Sequence, residues 1–308
     1  MSKVNRNEPV RSTASESRTS LMEFEQQFPN DAACLDYLVQ TLYPNGIFCP
    51  KCQKVTKHHR NAKRPSYSCQ YCGHHEHPMV GTIFQDSATS LKLWMYAIYL
   101  MSSTRCGISA KQLERELGVT YKTAWRMFNK IRSLMTQDPS PLFGRVEMDE
   151  TYFGPRGSRG GRPAPGGSKV PVLGMAQRKW WLYPGRVAAT VVPDISRDTL
   201  RPHFRARILP KAIVYTDELP VYNKLRDMGF RDSRIHHSQK VYARGDVHTN
   251  TVEGFWALLK NGISGVYHGV STKHLQAYLD EYAFRYNNRT DPKGVFNVLL
   301  GRVRKAVS

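Results

Sequence analysis

Two CxxC pairs are the feature that most restricts how this chain can fold. Cys49 and Cys52 form the first pair, Cys69 and Cys72 form the second, and sixteen residues separate the pairs. Each pair makes a tight turn that directs two sulfurs at one point, and this spacing suits a tetrahedral site of four thiolates. Four protein ligands predict a structural Zn²⁺ rather than a catalytic one. The alternative is four unrelated or redox-active cysteines, but no thioredoxin-like βαβ pattern surrounds them.

Histidines close to these pairs complicate the ligand set, since any of them could replace a thiolate; they are His58, His59, His74, His75 and His77. The symmetrical spacing of the two pairs favours cysteine at all four positions. We expect the histidines on the surface of the ribbon or at DNA phosphates, although an ordinary structural role is the alternative for each. The two remaining cysteines, Cys34 and Cys106, follow apolar helical patterns and are expected to be buried free thiols.

The charge of the chain points to a polyanionic partner. Lysine and arginine number 45 against 25 acidic residues, which gives a formal net charge of +20 and a sequence pI near 9.8. DNA is favoured because clustered cations gain from the release of counterions at phosphates. A basic ribosomal protein remains the alternative on charge alone. We find no apolar run long enough to span a bilayer and no signal peptide, so we expect a cytoplasmic protein without a membrane partner.

The order of sequence patterns predicts an α/β RNase H-like catalytic domain preceded by a small zinc ribbon and a helical helix-turn-helix domain. Polar composition, apolar periodicity and the Asp138-Pro-Ser-Pro141 linker set the predicted boundaries. These are a disordered arm (1–20), a helical lead-in (21–47), the zinc ribbon (48–86), the helix-turn-helix (87–137), the catalytic domain (142–290) and a C-terminal tail (291–308).

A helix-turn-helix is predicted by ISAKQLERELGVTYKTAWRMFNKIRSLM, in which Gly118-Val119 separates two amphipathic helices. The second helix would lie in the DNA major groove. It would expose five residues to bases or phosphates: Thr120, Tyr121, Lys122, Arg126 and Lys130. The alternative is any amphipathic helical pair with a solvated basic face.

Three carboxylates are spaced as expected for two strands and a helix that converge in an RNase H-like fold. Asp149 lies in the predicted strand VEMDETYF, and Asp217 follows 68 residues later at the end of AIVYTD. Glu253 follows after a further 36 residues, in the first turn of a predicted helix. Such a cluster repels itself unless cations neutralise it, and hard oxygen ligands suit Mg²⁺ or Mn²⁺. Two bound ions could then support displacement at a phosphodiester.

Other charged residues lie near these three carboxylates in the sequence. Lys260 lies seven residues after Glu253, two helical turns along the same face, where it could approach a DNA phosphate or simply be solvated. Glu147, Glu150 and Glu218 are expected to be supporting or solvent-facing, because side chains alternate along a strand. Taken alone, each carboxylate could be a cap or a surface charge.

Together these motifs resemble the zinc-ribbon DDE transposases of bacterial insertion sequences, which are related to the eukaryotic Merlin elements. The resemblance covers about residues 21–290 and rests on CPKC and CQYC, MDETYFG, YTDELPVY, and HTNTVEGFWALLKNGISGVYHGVSTKHLQAYLDEYAFRYNNR. It implies that Asp149, Asp217 and Glu253 form the catalytic triad and that Lys260 is the basic residue that follows the glutamate.

The resemblance also implies the reaction and the partners. The protein would recognise terminal inverted repeats, cleave the ends of its element and transfer the freed 3′-OH into target DNA. It would act as a homo-oligomer, at least a dimer, at the bacterial nucleoid. Two alternatives stay open: an RNase H-like nuclease or resolvase that only hydrolyses DNA, and a DNA-binding regulator with a domesticated, inactive catalytic domain. The intact carboxylate set argues against the second.

Overall fold

The structure is a computed structural model that divides into two compact units. Unit 1 is Met1–Leu134 with Asn288–Ser308, and unit 2 is Met135–Asn287. The structure describes residues 19–104, 106–154, 169–179, 185–217, 222, 225, 229–234, 248–291 and 294–303. Residues 1–18, which make up most of the expected disordered arm, lie outside the described residues, as does Glu218.

Unit 1 combines short helices with a small strand-rich ribbon. The helices are α1 (Leu21–Gln27), α2 (Asp31–Leu42), α3 (Leu91–Ser103), α4 (Ala110–Leu117), α5 (Tyr121–Arg132) and α9 (Gly294–Leu300). The ribbon strands are β1 (Phe48–Cys49), β2 (Lys54–Val55), β3 (His58–Arg60), β4 (Tyr67–Cys69) and β5 (His75–Glu76). Strands β1 and β2 pair antiparallel, and β3, β4 and β5 form a second antiparallel sheet.

Helices α4 and α5 lie in the segment predicted as two amphipathic helices, and a 3₁₀ turn (Ser133–Met135) follows α5. The Ser109 side chain caps α4, and the Thr120 side chain caps α5. Gly118 ends α4 with a φ of +63°, a left-handed conformation that favours glycine. The predicted pair of amphipathic helices is therefore present.

The segment predicted as a C-terminal tail contains helix α9, which joins the core of unit 1. Phe296 is buried, and its ring centroid lies 6.1 Å from that of Phe24, 6.0 Å from that of Phe28 and 6.0 Å from that of Tyr99. Burial of such aromatic groups stabilises a small helical unit more than the helix's own propensity does. The prediction also fails for Cys106, which is exposed because α3 ends at Ser103, whereas Cys34 is buried.

Unit 2 is built on a five-stranded sheet. Its strands are β6 (Arg145–Phe153), β7 (Val170–Gln177), β8 (Arg186–Val191), β9 (Ile213–Thr216) and β10 (Arg231–Arg234). Their spatial order is β10-β9-β6-β7-β8. Strands β6, β7 and β8 pair antiparallel, whereas β9 pairs parallel with both β6 and β10. The polar strand β10 was not predicted from the sequence.

Helices cover both faces of this sheet; they are α6 (Arg197–Arg207), α7 (Asn250–Gly262) and α8 (Thr272–Asn288). One core packs Val146 and Met148 of β6 with Leu200 and Phe204 of α6. The other core packs β7 and β8 with α7 and α8. Because strand side chains alternate, Glu147 and Asp149 of β6 belong to the face that α7 covers.

Side-chain amides cover the free edge of β8. Asn287 bonds to the N–H and the C=O of Val187, at 2.7 and 2.9 Å. Gln276 accepts from the N–H of Val191 at 2.9 Å and donates to the C=O of Ala189 at 3.1 Å. An unpaired strand edge can pair with another chain, and these amides remove that possibility.

We expect Gln276→Leu to destabilise unit 2, since it leaves the Val191 N–H without this partner, whereas the Ala189 carbonyl keeps the hydrogen bond that Gln137 Nε2 donates at 2.7 Å. The loss should be about 1–3 kcal/mol, the range for buried polar groups that lose their hydrogen bonds. Chemical denaturation and light scattering during refolding would measure stability and self-association. Gln26→Leu, the same change at an exposed position of α1, is the matched control. Equal stability and scattering for the two variants would contradict this role of Gln276.

Candidate carboxylate site and cysteine cluster

Strand β6 places Asp149 beneath helix α7. The indole Nε1 of Trp256 donates to Asp149 Oδ2 at 2.9 Å. The pKa of Asp149 is raised to about 6, because burial and then the negative charge of Asp217 raise it by more than the Trp256 hydrogen bond lowers it. The carboxylate is therefore held in an environment that disfavours its negative charge.

Asp217 lies beside Asp149 because of the parallel pairing of β6 with β9. Glu147 pairs with Tyr215 in that register; Asp149 lies two residues further along β6, and Asp217 follows Thr216, the last residue of β9. Neighbouring strands lie about 4.8 Å apart, so a residue just past the end of β9 lies near the middle of β6. The effect of Asp217 on the pKa of Asp149 is consistent with this closeness.

Glu253 approaches the same region from the first turn of α7, where it is exposed. Thr249 Oγ1 donates to Glu253 Oε1 at 2.6 Å. The charge of Glu253 also raises the pKa of Asp149, by less than that of Asp217. In the described part of the chain, the four cysteines are the one group of three or more ligand residues that lies close enough together to hold a metal ion, and the three carboxylates are not so grouped. Their negative charges repel one another, and a divalent cation would neutralise them.

The neighbouring glutamates have distinct partners. Glu147, expected to be supporting or solvent-facing, is fully buried and bonded to Arg178 Nε at 2.5 Å. Glu150 Oε2 accepts from the hydroxyl of the buried Tyr222 at 2.8 Å. Lys260 is exposed in the last turn of α7. Glu147 thus belongs to the interior, contrary to the solvent-facing alternative.

The four cysteines of the CxxC pairs form one cluster, and their ligand atoms all lie within 4.8 Å of one another. Cys49 Sγ lies 3.4 Å from Cys72 Sγ, and Cys52 Sγ lies 3.8 Å from Cys69 Sγ. Sulfurs bound tetrahedrally to zinc at about 2.3 Å are separated by about 3.8 Å, so the cluster fits this ion.

The thiols of the cluster differ in how readily they ionise. Hydrogen bonding by Thr56, whose Oγ1 lies 3.2 Å from Cys69 Sγ, lowers the pKa of Cys69 to about 5. Hydrogen bonding with Cys72 and then burial raise the pKa of Cys52 to about 12. Four adjacent thiolates need a cation to coexist, and Zn²⁺ supplies that charge. His58 Nδ1 lies 2.9 Å from the Thr56 carbonyl oxygen and is outside the cluster.

The predicted DNA-reading residues of α5 fall into two groups. Tyr121 and Lys122 are exposed in the first turn, and Thr120 accepts a capping hydrogen bond from Thr123 N at 3.4 Å. Lys130 Nζ instead donates to the main-chain oxygens of Ile83 and Gln85, at 3.1 and 3.4 Å.

Arg126 lies between Lys122 and Lys130 along α5, and it is exposed but also makes a side-chain hydrogen bond. Its Nη2 donates to Ser87 Oγ at 3.4 Å. A groove of about 970 Å³ runs along this face of α5, and Lys122, Arg126 and Lys130 are among its lining residues. The groove therefore has a basic wall, although Lys130 is already engaged by the main chain.

Two family models match the segments that contain the carboxylates and the cysteine cluster. Residues 141–287 match the family model of the ISXO2-like transposase domain, and residues 29–75 match that of the transposase zinc-ribbon domain. A transposase-like protein of Haemophilus influenzae is 33% identical over 103 residues, which cover 33% of this chain and 82% of that protein. The chain belongs to the zinc-ribbon DDE transposases of insertion sequences.

One further relative of this transposase and one solved structure were also matched. A protein in transposable element ISH50 of Halobacterium salinarum is 29% identical over 277 residues, or 84% of this chain and 91% of that protein. A chain in the cryo-EM structure of the simian T-cell lymphotropic virus intasome in complex with PP2A regulatory subunit B56 gamma is 12% identical. That similarity covers 52% of this chain and 57% of the other, with a TM-score of 0.27, too low to bear on the fold.

Two residues of the transposase that touch Asp149 or its neighbour were not predicted as part of the site. Trp256 is buried in the core under α7, and its indole N–H also reaches Asp149. Arg178 follows β7 and bonds to Glu147. The sequence holds one usable signal, since Trp256 lies three residues after Glu253, one turn along the same side of the helix.

We expect the purified transposase to carry one zinc ion per chain and Cys72→Ser to lose it, because zinc needs all four thiolates to close its shell. Elemental analysis after gel filtration would measure the zinc content, and melting would report the stability of the ribbon. Cys106→Ser, at an exposed cysteine outside the cluster, should retain the ion. A Cys72→Ser protein with full zinc content would show that the cluster is not the binding site.

Proposed function

We propose that this transposase cuts DNA at the ends of its element and transfers the freed 3′ ends into target DNA. Asp149, Asp217 and Glu253 would hold the catalytic Mg²⁺ or Mn²⁺ ions. The observation that carries the proposal is that Asp149 lies in β6 under the helix that carries Glu253, while Asp217 follows the end of β9, the parallel neighbour of β6. Membership of the DDE transposase family supports the same chemistry.

The topology of unit 2 supports an RNase H-like catalytic domain. Three antiparallel strands are followed by two parallel strands on the other side of β6, and helices cover both faces. This arrangement puts the first strand at the centre of the sheet, beside the strand that ends before Asp217. Carboxylates near the carboxyl end of β9 and in the middle of β6 can then act on one phosphodiester.

The donor set fits the ions that this chemistry needs. Carboxylate oxygens are hard ligands, and burial and then the charge of Asp217 raise the pKa of Asp149, so a bound cation would favour its ionised form. Bound divalent ions would stabilise the attacking and leaving oxygens of the displacement. For its part, the chain orients Asp149 through Trp256 and presents Glu253 from a rigid helix. Lys260, exposed further along α7, would contact a DNA phosphate.

We expect Asp149→Ala to abolish metal-dependent cleavage and joining while DNA binding persists. Loss of a ligand should exceed the roughly 10–100-fold effect typical of residues that only support a ligand. The assay would use duplexes made from the inverted repeats that bracket the gene, with a plasmid as target, and would resolve cleaved and joined products on gels.

The controls of this assay separate the candidate functions. Asp198→Ala, at an exposed position of α6, should leave both steps unchanged. An Asp149→Ala protein with wild-type cleavage and joining would contradict the metal site. Wild-type protein that cleaves but never joins would instead favour a nuclease or resolvase.

We further propose that α4 and α5 form a helix-turn-helix that reads the terminal repeats together with the zinc ribbon. Two capped amphipathic helices separated by Gly118 and Val119 support this, as does the basic groove along α5. Pairing of two DNA ends would require at least a dimer, acting at the nucleoid. No helix in the described residues is long and apolar enough to cross a membrane.

Lys122 and Lys130 should behave differently when replaced by alanine. Lys122→Ala should weaken DNA binding and reduce the slope of log affinity against log salt by about 0.9, as expected for one lost phosphate contact. Lys130→Ala should lower stability by about 1–3 kcal/mol, because its ammonium group holds two main-chain carbonyls. Fluorescence anisotropy over a salt series and thermal melting would measure the two effects. Equal effects of both variants on melting would contradict the difference in roles.

A further inference from the structure

Trp256 makes the one described hydrogen bond between helix α7 and the Asp149 side chain. An indole N–H can only donate, and here it donates to Oδ2 at 2.9 Å. A carboxylate has two oxygens, so a fixed donor on one of them sets the direction of the other. Trp256 is itself buried, with 4% of its surface exposed, which restricts the motion of the donor.

The space that the indole occupies is provided by Gly174. Gly174 is the residue of β7 that lies directly opposite Asp149 in the antiparallel register. A Cβ atom at position 174 would lie 2.2 Å from Cζ2 and 2.6 Å from Cη2 of Trp256, closer than such atoms can approach. Glycine is therefore required here by a close approach, because any side chain would displace the ring from Asp149.

A second anchor joins the same helix to the same strand. The N–H groups of Thr251 and Val252 donate to Glu147 Oε2 at 2.7 and 3.0 Å, and Thr251 Oγ1 donates to Oε1 at 2.8 Å. The side chain of Thr249 does not cap helix α7. The Glu147 carboxylate of strand β6 instead accepts hydrogen bonds from the first N–H groups of the helix. Arg178, whose guanidinium group lies 4.3 Å from the ring centroid of Tyr215, balances the charge of Glu147.

The two anchors have matching spacing. Glu147 and Asp149 are two residues apart, a rise of about 6.6 Å along a strand. Val252 and Trp256 are four residues apart, a rise of about 6 Å along a helix. The helix can therefore meet both strand residues without bending, which fixes its register along β6. Glu253 lies between the two contact points, so its position relative to Asp149 is fixed as well.

We propose that Trp256, seated against Gly174, is a positioning residue of the carboxylate metal site: it aligns Asp149 and, with Glu147, sets the register of α7 that presents Glu253. This proposal rests on the proposed function of that site. Groups that orient a metal ligand typically change metal affinity by about 10–100-fold when they are removed.

The test compares metal binding by the free protein with metal dependence of the reaction. Trp256→Phe keeps an aromatic ring but removes the N–H donor. Gly174→Ala keeps the indole but places a methyl group in the space that its ring occupies. We expect both variants to bind Mn²⁺ about 10-fold more weakly, measured by the electron paramagnetic resonance signal of unbound Mn²⁺. The Mg²⁺ concentration for half-maximal cleavage should rise by a similar factor, and cleavage should recover as metal is added.

The matched control makes the same chemical change in unit 1. Trp94 is fully buried, and its Nε1 donates to Ser87 Oγ at 2.9 Å. Trp94→Phe therefore also removes a buried indole N–H but should leave Mn²⁺ affinity unchanged. If Trp256→Phe fails to fold, 3-benzothienylalanine at position 256 preserves the shape of the ring system and replaces only the N–H with sulfur.

The outcomes distinguish this proposal from the proposed function. Wild-type Mn²⁺ affinity in a folded variant without the position-256 N–H, together with its loss in Asp149→Ala, would overturn the positioning role alone. Wild-type Mn²⁺ affinity and cleavage in Asp149→Ala would overturn the metal site itself. A 10-fold weakening at position 256 that Trp94→Phe does not show, with recovery at high metal concentration, would establish the positioning role.

Discussion

The alternation of side chains along β6 is the constraint on which the rest of unit 2 depends. Val146 and Met148 enter the core beside α6, and this commits Glu147 and Asp149 to the face covered by α7. Two carboxylates thus lie under a helix that otherwise packs with apolar residues. Each buried charge needs partners, and the surrounding elements differ in how fully they supply them.

The negative charges of the two β6 carboxylates are compensated to different extents. Glu147 receives Arg178 and the N–H groups at the start of α7, so its charge is compensated within the protein. Asp149 accepts hydrogen bonds from the Trp256 indole and the Glu150 main chain, yet burial and then the charge of Asp217 raise its pKa. The first arrangement stabilises the fold, whereas the second disfavours the ionised form of Asp149. The cysteine cluster of the ribbon also places like charges together, because its four thiols would need a cation such as Zn²⁺ to lie this close as thiolates.

Much of the architecture follows from local patterns in the sequence. The CxxC spacing predicted the cysteine cluster, and helical periodicity on either side of Gly118-Val119 predicted the helical pair α4 and α5. Strand β10 was not predicted, because RDSR is short and polar. Helix α9 was not predicted either, because its stability comes from aromatic contacts with α1 and α3, which are distant in the sequence.

By itself, the sequence determined the residue types and spacings of the candidate sites: four cysteines in two pairs, and Asp149, Asp217 and Glu253 on predicted strands and a helix. Tertiary structure alone decided which charges are compensated. Glu147 and Asp149 look alike in the sequence, but the register of β6 with β7 and the placement of α7 give one an arginine and the other an indole seated over Gly174. Those partners are 25 to 107 residues away along the chain, and contacts between distant segments are fixed by packing rather than by local periodicity.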